Sequence, residues 1–297
     1  MFKSEKYKKI KTEYIGKLYA LICAMVIIIL TLSIIFFIGV KGSSLFIKGN
    51  YTIKDFLLST KWNPDSTNPQ FGAAIFITGS ILVSIGAVII STPIGLAIAI
   101  FMNYISPKVG KNILQPALEL FVGIPSVVYG WIGIKVLIPF IKLNFSGIGF
   151  SLIAGILVLS IMVMPTIASL SYDTLKSIPK YYLEASYALG GTRWQTIRNV
   201  IIPAGKSGIL TAIVLGLARA FGEALAVQMV IGNAIKMPEG LLDPTSTLTS
   251  ILTMDMANTV TGTPWNDALW ALALILLIVS FIFIFMIRII AKRGEAR

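Results

Sequence analysis

The 297-residue sequence contains no histidine and one cysteine, Cys23, and only 13% of its residues are charged. Without histidine there is no imidazole base, proton relay or histidine-based triad. One thiol cannot close a disulfide within the chain, and zinc or iron–sulfur centres need several such ligands. No metal or organic cofactor is therefore expected. Soluble domains carry about a quarter charged residues, so roughly half of the usual charge is missing. What fills the sequence instead is 56% hydrophobic residues, with a mean hydropathy of +0.85. That composition excludes a disordered chain, a coiled coil, a secreted disulfide scaffold and an ordinary cytosolic enzyme, and it describes an integral membrane protein.

A helix that crosses the hydrocarbon needs about 20 mostly apolar residues. Leu18 to Val40 runs 23 positions without a charge. It is too long for a signal-peptide core and lacks a small-residue cleavage site, so it reads as a retained first helix. Five further spans are predicted: Ala74 to Asn103; Ile113 to Phe140, interrupted by Glu119, Pro125 and Lys135; Gly149 to Ser171; Gly208 to Asn233; and Ala268 to Ile287. Residues 1–73 thus form a basic tail, a first helix and an extracytoplasmic segment. Residues 74–297 form the core domain, with a long loop at 172–207. The fold class expected is an all-α membrane protein of six transmembrane helices.

The net charge of +12 fits an address better than a nucleic-acid surface, because the basic residues lie between apolar runs rather than on a soluble face. With both termini inside, seventeen of the 25 Lys and Arg fall on the inner side and six outside, which is the positive-inside pattern. Lys135 and Arg219 fall within spans. No nucleic-acid partner is expected; the lipid bilayer is.

The inner loop reads as two short helices. Ser177 and Pro179 are helix-start residues, Gly190-Gly191 is a stop, and Thr192-Arg193-Trp194-Gln195 has the capping-box spacing. Composition alone leaves an interfacial hairpin and a docking element equally open. The residue pattern favours docking. Glu184-Ala185-Ser186, three residues, Gly190, nine residues and Val200-Ile201-Ile202-Pro203 resembles the EAA loop of bacterial ABC-importer permeases, with Ser186 in place of the second alanine. The resemblance implies a type I ABC-importer permease fold, N-in and C-in, whose cytoplasmic coupling helix seats in a separate ATP-binding subunit. Gly205-Lys206-Ser207 is only a fragment of a phosphate-binding P-loop, because Val200 stands where its first glycine is required. No enzyme activity is expected of the chain itself.

An ionised side chain at the bilayer centre costs at least about 2.5–3.5 kcal/mol. Lys135, late in its span, can snorkel outward. Glu119 either pairs with a neighbouring subunit or faces a watery vestibule. Arg219 and Glu223 are four apart and are expected to share a helix face, either neutralising each other or lining a polar path, with small residues around them. A guanidinium presents forked donors that match a tetrahedral oxyanion. Ala218-Arg219-Ala220-Phe221-Gly222-Glu223 resembles the corresponding segment of oxyanion-importer permeases. Gly123-Ile124-Pro125-Ser126-Val127-Val128-Tyr129-Gly130, and Trp62-x-Pro64 followed by Phe71-Gly72, are similar to the phosphate branch and to the larger of its two permeases.

That resemblance implies a subunit of a prokaryotic plasma-membrane phosphate importer, paired with a homologous permease, two ATP-binding subunits and an extracytoplasmic phosphate-binding protein. Arg219 and Glu223 would line the substrate pathway, while Glu184, Ala185, Ser186, Gly190 and Pro203 would form the coupling loop. The alternatives are a molybdate or sulfate permease and an ion-coupled secondary transporter. The latter typically has inverted repeats with broken helices, and the sequence reads as having neither.

Overall fold

The computed structural model describes residues 2–49, 51–145 and 147–295; Arg297 of the C-terminal basic set lies outside them. The elements are α1 (Phe2–Lys48), α2 (Ile53–Leu58), β1 (Trp62–Asn63), β2 (Gln70–Phe71), α3 (Ala74–Ile100), α4 (Pro107–Val109), α5 (Gln115–Gly123), α6 (Ser126–Ile132), α7 (Ile138–Asn144) and α8 (Leu152–Lys176). These are followed by α9 (Tyr181–Ala188), α10 (Arg193–Thr196), α11 (Ile202–Ala204), α12 (Lys206–Gly222), α13 (Leu225–Ile231), α14 (Leu248–Asp255) and α15 (Pro264–Glu295). Among the described residues the only sheet is the antiparallel β1–β2 pair.

Among the described residues, five helices are long and apolar enough to cross a membrane: Tyr14–Ile47, Ala74–Ile105, Ser126–Asn144, Leu152–Lys176 and Pro264–Ile290. A sixth is counted if Arg193–Ala204 and Lys206–Gly222, bent by 71°, act as one span. The third predicted span therefore shifts. Its apolar helix begins at Ser126, and α5 precedes it as a separate piece.

Lipid tails are as apolar as leucine, so helices in a bilayer associate by close packing rather than by hydrophobic expulsion. The central pair follows that rule. Gly95 of α3 lies against Ile167 and Ala168 of α8, and Gly155 of α8 lies against Val83 of α3. Leu159, Val163, Ile167 and Ala168 are completely buried along α8. At about 1.5 Å per residue, α1 reaches roughly 70 Å, and from Tyr14 to Val40 it is mostly exposed, as lipid-facing side chains are. It meets the bundle near its C-terminal end, where the Phe37 ring stands edge-on to Trp270 of α15 at 5.1 Å.

Opposite the long 177–205 loop, aromatic side chains fasten the segment after α1. Trp62 packs edge-on to Phe71 at 5.5 Å and to Phe76 of α3 at 5.1 Å, between ring centroids. The segment between α13 and α15 folds inward. Residues 245–251 are all buried. Thr247 and Ser250 cap the start of α14 reciprocally, and the Leu248 N–H donates to Ser80 Oγ at 2.9 Å. Gly79 makes this seating possible, because a methyl group there would collide with the Ser246 carbonyl.

Gly79→Ala should therefore lower stability by about 1–3 kcal/mol through overpacking, read as a lower thermal midpoint of the detergent-solubilised complex. Gly39→Ala, in open space on α1, is the matched neutral control. A wild-type midpoint for the Gly79 variant would contradict the seating of α14.

Candidate functional site

Among the described residues, the third and fifth predicted spans are each broken, contrary to the sequence reading. The first break follows from chemistry. Pro125 has no N–H and disfavours helical geometry at the residue before it, so Ile124 and Pro125 are extended, with ψ near 128° and 139°. The Tyr129 hydroxyl donates to the Phe121 carbonyl at 2.7 Å across the gap and so pairs a group left over at the end of α5. The second break has no proline. Helix α12 stops at Gly222, Glu223 is extended (φ −73°, ψ 129°), and α13 starts at Leu225.

This second break overturns the shared-face expectation for Arg219 and Glu223, since the helix ends before Glu223. Each side chain is bonded elsewhere. Arg219 Nη1 donates to Thr166 Oγ1 on α8 at 2.6 Å. Glu223 Oε1 accepts the Ala226 N–H at 3.1 Å, which caps the first turn of α13, and the Glu223 carbonyl accepts Thr249 Oγ1 at 2.7 Å. The carboxylate is thus a helix cap, and the guanidinium is held by a neutral hydroxyl. Among the described residues, this half-buried positive charge has no counter-ion at hydrogen-bond distance.

The two breaks face one another because their following helices pack together. Gly130 of α6 lies against Ala226 and Met229 of α13. Behind Glu223, the side chains of Ser80, Ser84, Thr247 and Thr249 line a cavity of about 10 Å³. That volume holds about one water molecule, so this cleft is closed to a tetrahedral oxyanion in the present conformation. Sequence reasoning missed Thr166, Thr249 and the two serines, and it named Tyr129 only as part of the Gly123–Gly130 resemblance. Pro125 was the signal for Tyr129, whereas nothing local marks Thr166 or Thr249 as partners of residues 53 and 26 positions away.

The other two intramembrane charges are elsewhere. Glu119 is exposed and accepts Gln115 Nε2 at 3.1 Å. Lys135 is exposed midway along Ser126–Asn144 rather than late in its span.

The long loop is a helical hairpin of α9 and α10, with Gly190 at φ +81°, a value that L side chains rarely adopt. Thr192 and Gln195 form the capping box that starts α10. Ser186, where the EAA pattern has alanine, bonds Thr196 Oγ1 at 2.8 Å and braces the two arms. Glu184 and Ala185 are exposed on α9, and Pro203 lies in α11. Between the arms is a groove of about 540 Å³ walled by Tyr181, Tyr182, Ala185 and Leu189. The Leu189 side chain is 90% exposed at its edge. Arg193 ties the hairpin back to the end of the second span through the carbonyls of Tyr104 and Ile105.

Residues 91–295 match the family described as binding-protein-dependent transport system inner membrane component. The chain is 49% identical over 284 residues to the probable ABC transporter permease protein YqgH of Bacillus subtilis, covering 95% of this chain and 92% of that one. It is 34% identical over 262 residues to the phosphate transport system permease protein PstC of Mesorhizobium japonicum, covering 82% and 79%. Among solved structures, the inward-facing MetNI methionine ABC transporter superimposes with a TM-score of 0.56 at 20% identity, over 73% of this chain and 93% of that one. At that identity the match speaks for the fold alone.

Glu223→Ala should remove the α13 cap and destabilise the protein by about 0.5–2 kcal/mol. Glu223→Gln keeps an acceptor oxygen and should stay near the wild-type thermal midpoint. Equal losses in the two variants would show that the carboxylate charge, not the cap, is what matters.

Proposed function

The chain belongs to the family of binding-protein-dependent transport system inner membrane components, and from that premise we propose that its cargo is inorganic phosphate. As a family member it is the permease subunit of an ABC importer, a multi-pass protein of the prokaryotic plasma membrane rather than an enzyme. It works with separate ATPase subunits, which hydrolyse ATP, and with a binding protein. Family membership also separates it from secondary transporters, a distinction that the broken helices alone do not make.

The observation that carries the phosphate reading is the Arg219 guanidinium, half-buried at the helix breaks and bonded to Thr166 instead of a carboxylate. A charge without a counter-ion attracts an anion, and its forked donors suit tetrahedral oxygens. The relatives named as phosphate permeases, aligned over about four-fifths of the chain, support the same reading. In this proposal the chain spans the membrane six times with both termini inside and pairs with a homologous permease. An extracytoplasmic phosphate-binding protein delivers the anion. The Glu223 carboxylate, one turn from Arg219 in sequence, opposes tight binding so that the anion is released.

Closure of the ATPases draws on the hairpin from Glu184 to Pro203. Arg193 carries that movement to the second span, and the breaks at Pro125 and Glu223 give the site places to bend. Molybdate and sulfate share the tetrahedral chemistry and are the second reading.

In proteoliposomes containing the complete importer, Arg219→Ala should abolish ATP-dependent phosphate uptake while the subunits still co-purify. Excess sulfate or molybdate should leave wild-type uptake intact. Normal uptake by the variant would defeat the pathway assignment, and competition by sulfate or molybdate would transfer the cargo to that anion. Separately, Gly190→Val forces a branched side chain into positive φ and should reduce co-purification of the ATPase and uptake together. Retention of both would defeat the docking role.

A further inference from the structure

Beside the hairpin, and separate from its groove, residues 102–111 after α3, the end of α8 and the flank of α9 line a second cavity of about 650 Å³. Lys111, Lys176, Lys180 and Arg193 line it, against the single carboxylate of Glu184. Two of these cations are held by groups that do not neutralise them. Arg193 donates to the backbone carbonyls of Tyr104 and Ile105, and Lys176 Nζ lies 5.4 Å from the centre of the Tyr172 ring. Lysine charge therefore accumulates in a concave site whose floor, at Met102 and Leu175, is apolar and buried.

An apolar groove of about 500 Å³ opens on the same two stretches of chain. Pro93, Ile94, Ala97, Ile98 and Phe101 of the second span line it, together with Leu114. The basic cavity draws on residues 102–104 and Lys111, and the groove on Phe101 and Leu114. A cluster of lysines at the end of membrane spans attracts anionic headgroups, and an apolar groove along a span fits an acyl chain. The cavity shares Glu184 and Arg193 with the coupling hairpin, but Lys111, Lys176 and Lys180 have no part in the transport site or in the groove between the hairpin arms.

We infer that this cavity and groove together form a binding site for one anionic phospholipid. The headgroup phosphate lies on Lys111, Lys176 and Lys180, and an acyl chain lies along α3. The site adjoins α9 and is tied through Arg193 to the second span, so an occupied site braces the coupling hairpin. Free inorganic phosphate shares the headgroup's chemistry but has no use for the groove.

The test is native mass spectrometry of the complete importer after exchange into mixed phosphatidylglycerol and phosphatidylcholine of matched chains. The wild type should retain phosphatidylglycerol preferentially, and each of Lys111→Gln, Lys176→Gln and Lys180→Gln should lower that preference about fivefold. Lys→Arg at the same positions should preserve it, as should Gln at Lys108, Arg198 and Lys206, which lie outside the cavity. The readout is binding, so its outcome is independent of which anion the importer carries. The inference fails if the wild type shows no preference, or if the Gln variants keep it. It also fails if millimolar inorganic phosphate displaces the lipid, which would make the cavity a free-anion site. Loss of ATPase co-purification in the Gln variants with lipid preference intact would likewise overturn it, in favour of a protein contact.

Discussion

A backbone N–H or carbonyl inside a bilayer has no water to bond, so any break in a membrane helix must be closed by the protein itself. The breaks at Pro125 and Glu223 are closed in different ways. At Pro125, the Tyr129 hydroxyl reaches back to Phe121. At Glu223, the carboxylate caps Ala226, and Thr249 arrives from the buried α14 to meet the Glu223 carbonyl. The rest of the arrangement depends on these closures. They bring hydroxyls and a carboxylate into the bundle, draw the segment around Thr247 inward, and leave Arg219 to bond Thr166.

That division of labour changes how the intramembrane charges balance. If Arg219 and Glu223 neutralised each other, the site would be electrically quiet and a passing anion would have to break an ion pair. With Glu223 engaged as a cap, the guanidinium has no counter-ion at hydrogen-bond distance among the described residues. The cost of holding it there is lowered by the Thr166 hydroxyl and by incomplete burial rather than by a counter-ion. At the other end of the bundle, the hairpin is held at two places. Its arms are braced by Ser186 and Thr196, and it is anchored by Arg193 to the second span.

Much of this was legible in the sequence. Long apolar runs gave five of the spans, and Thr192 with Gln195 announced a capping box that is present. Gly190 announced a turn whose positive φ explains the glycine. The parts that were not legible have a common cause. Residue spacing reports helical periodicity, so Arg219 and Glu223, four apart, read as neighbours on one face. Only a partner far along the chain ends the helix between them. Thr249 and α14 supply it, from a segment rich in prolines and polar residues that lies between the fifth and sixth predicted spans. Pro125 was visible as an interruption, but whether a proline kinks a span or splits it depends on what pairs the freed groups.

The most direct measurement of the central claim is a double-mutant cycle on stability, with Arg219→Gln, Glu223→Gln and the pair compared with the wild type. If the two side chains are held by separate partners, their effects add within about 0.3–0.5 kcal/mol. A coupling energy between roughly 0.5 and 3 kcal/mol, the range of side chains in direct contact, would mean that they form an ion pair after all. That result would contradict the uncompensated guanidinium on which the anion pathway rests.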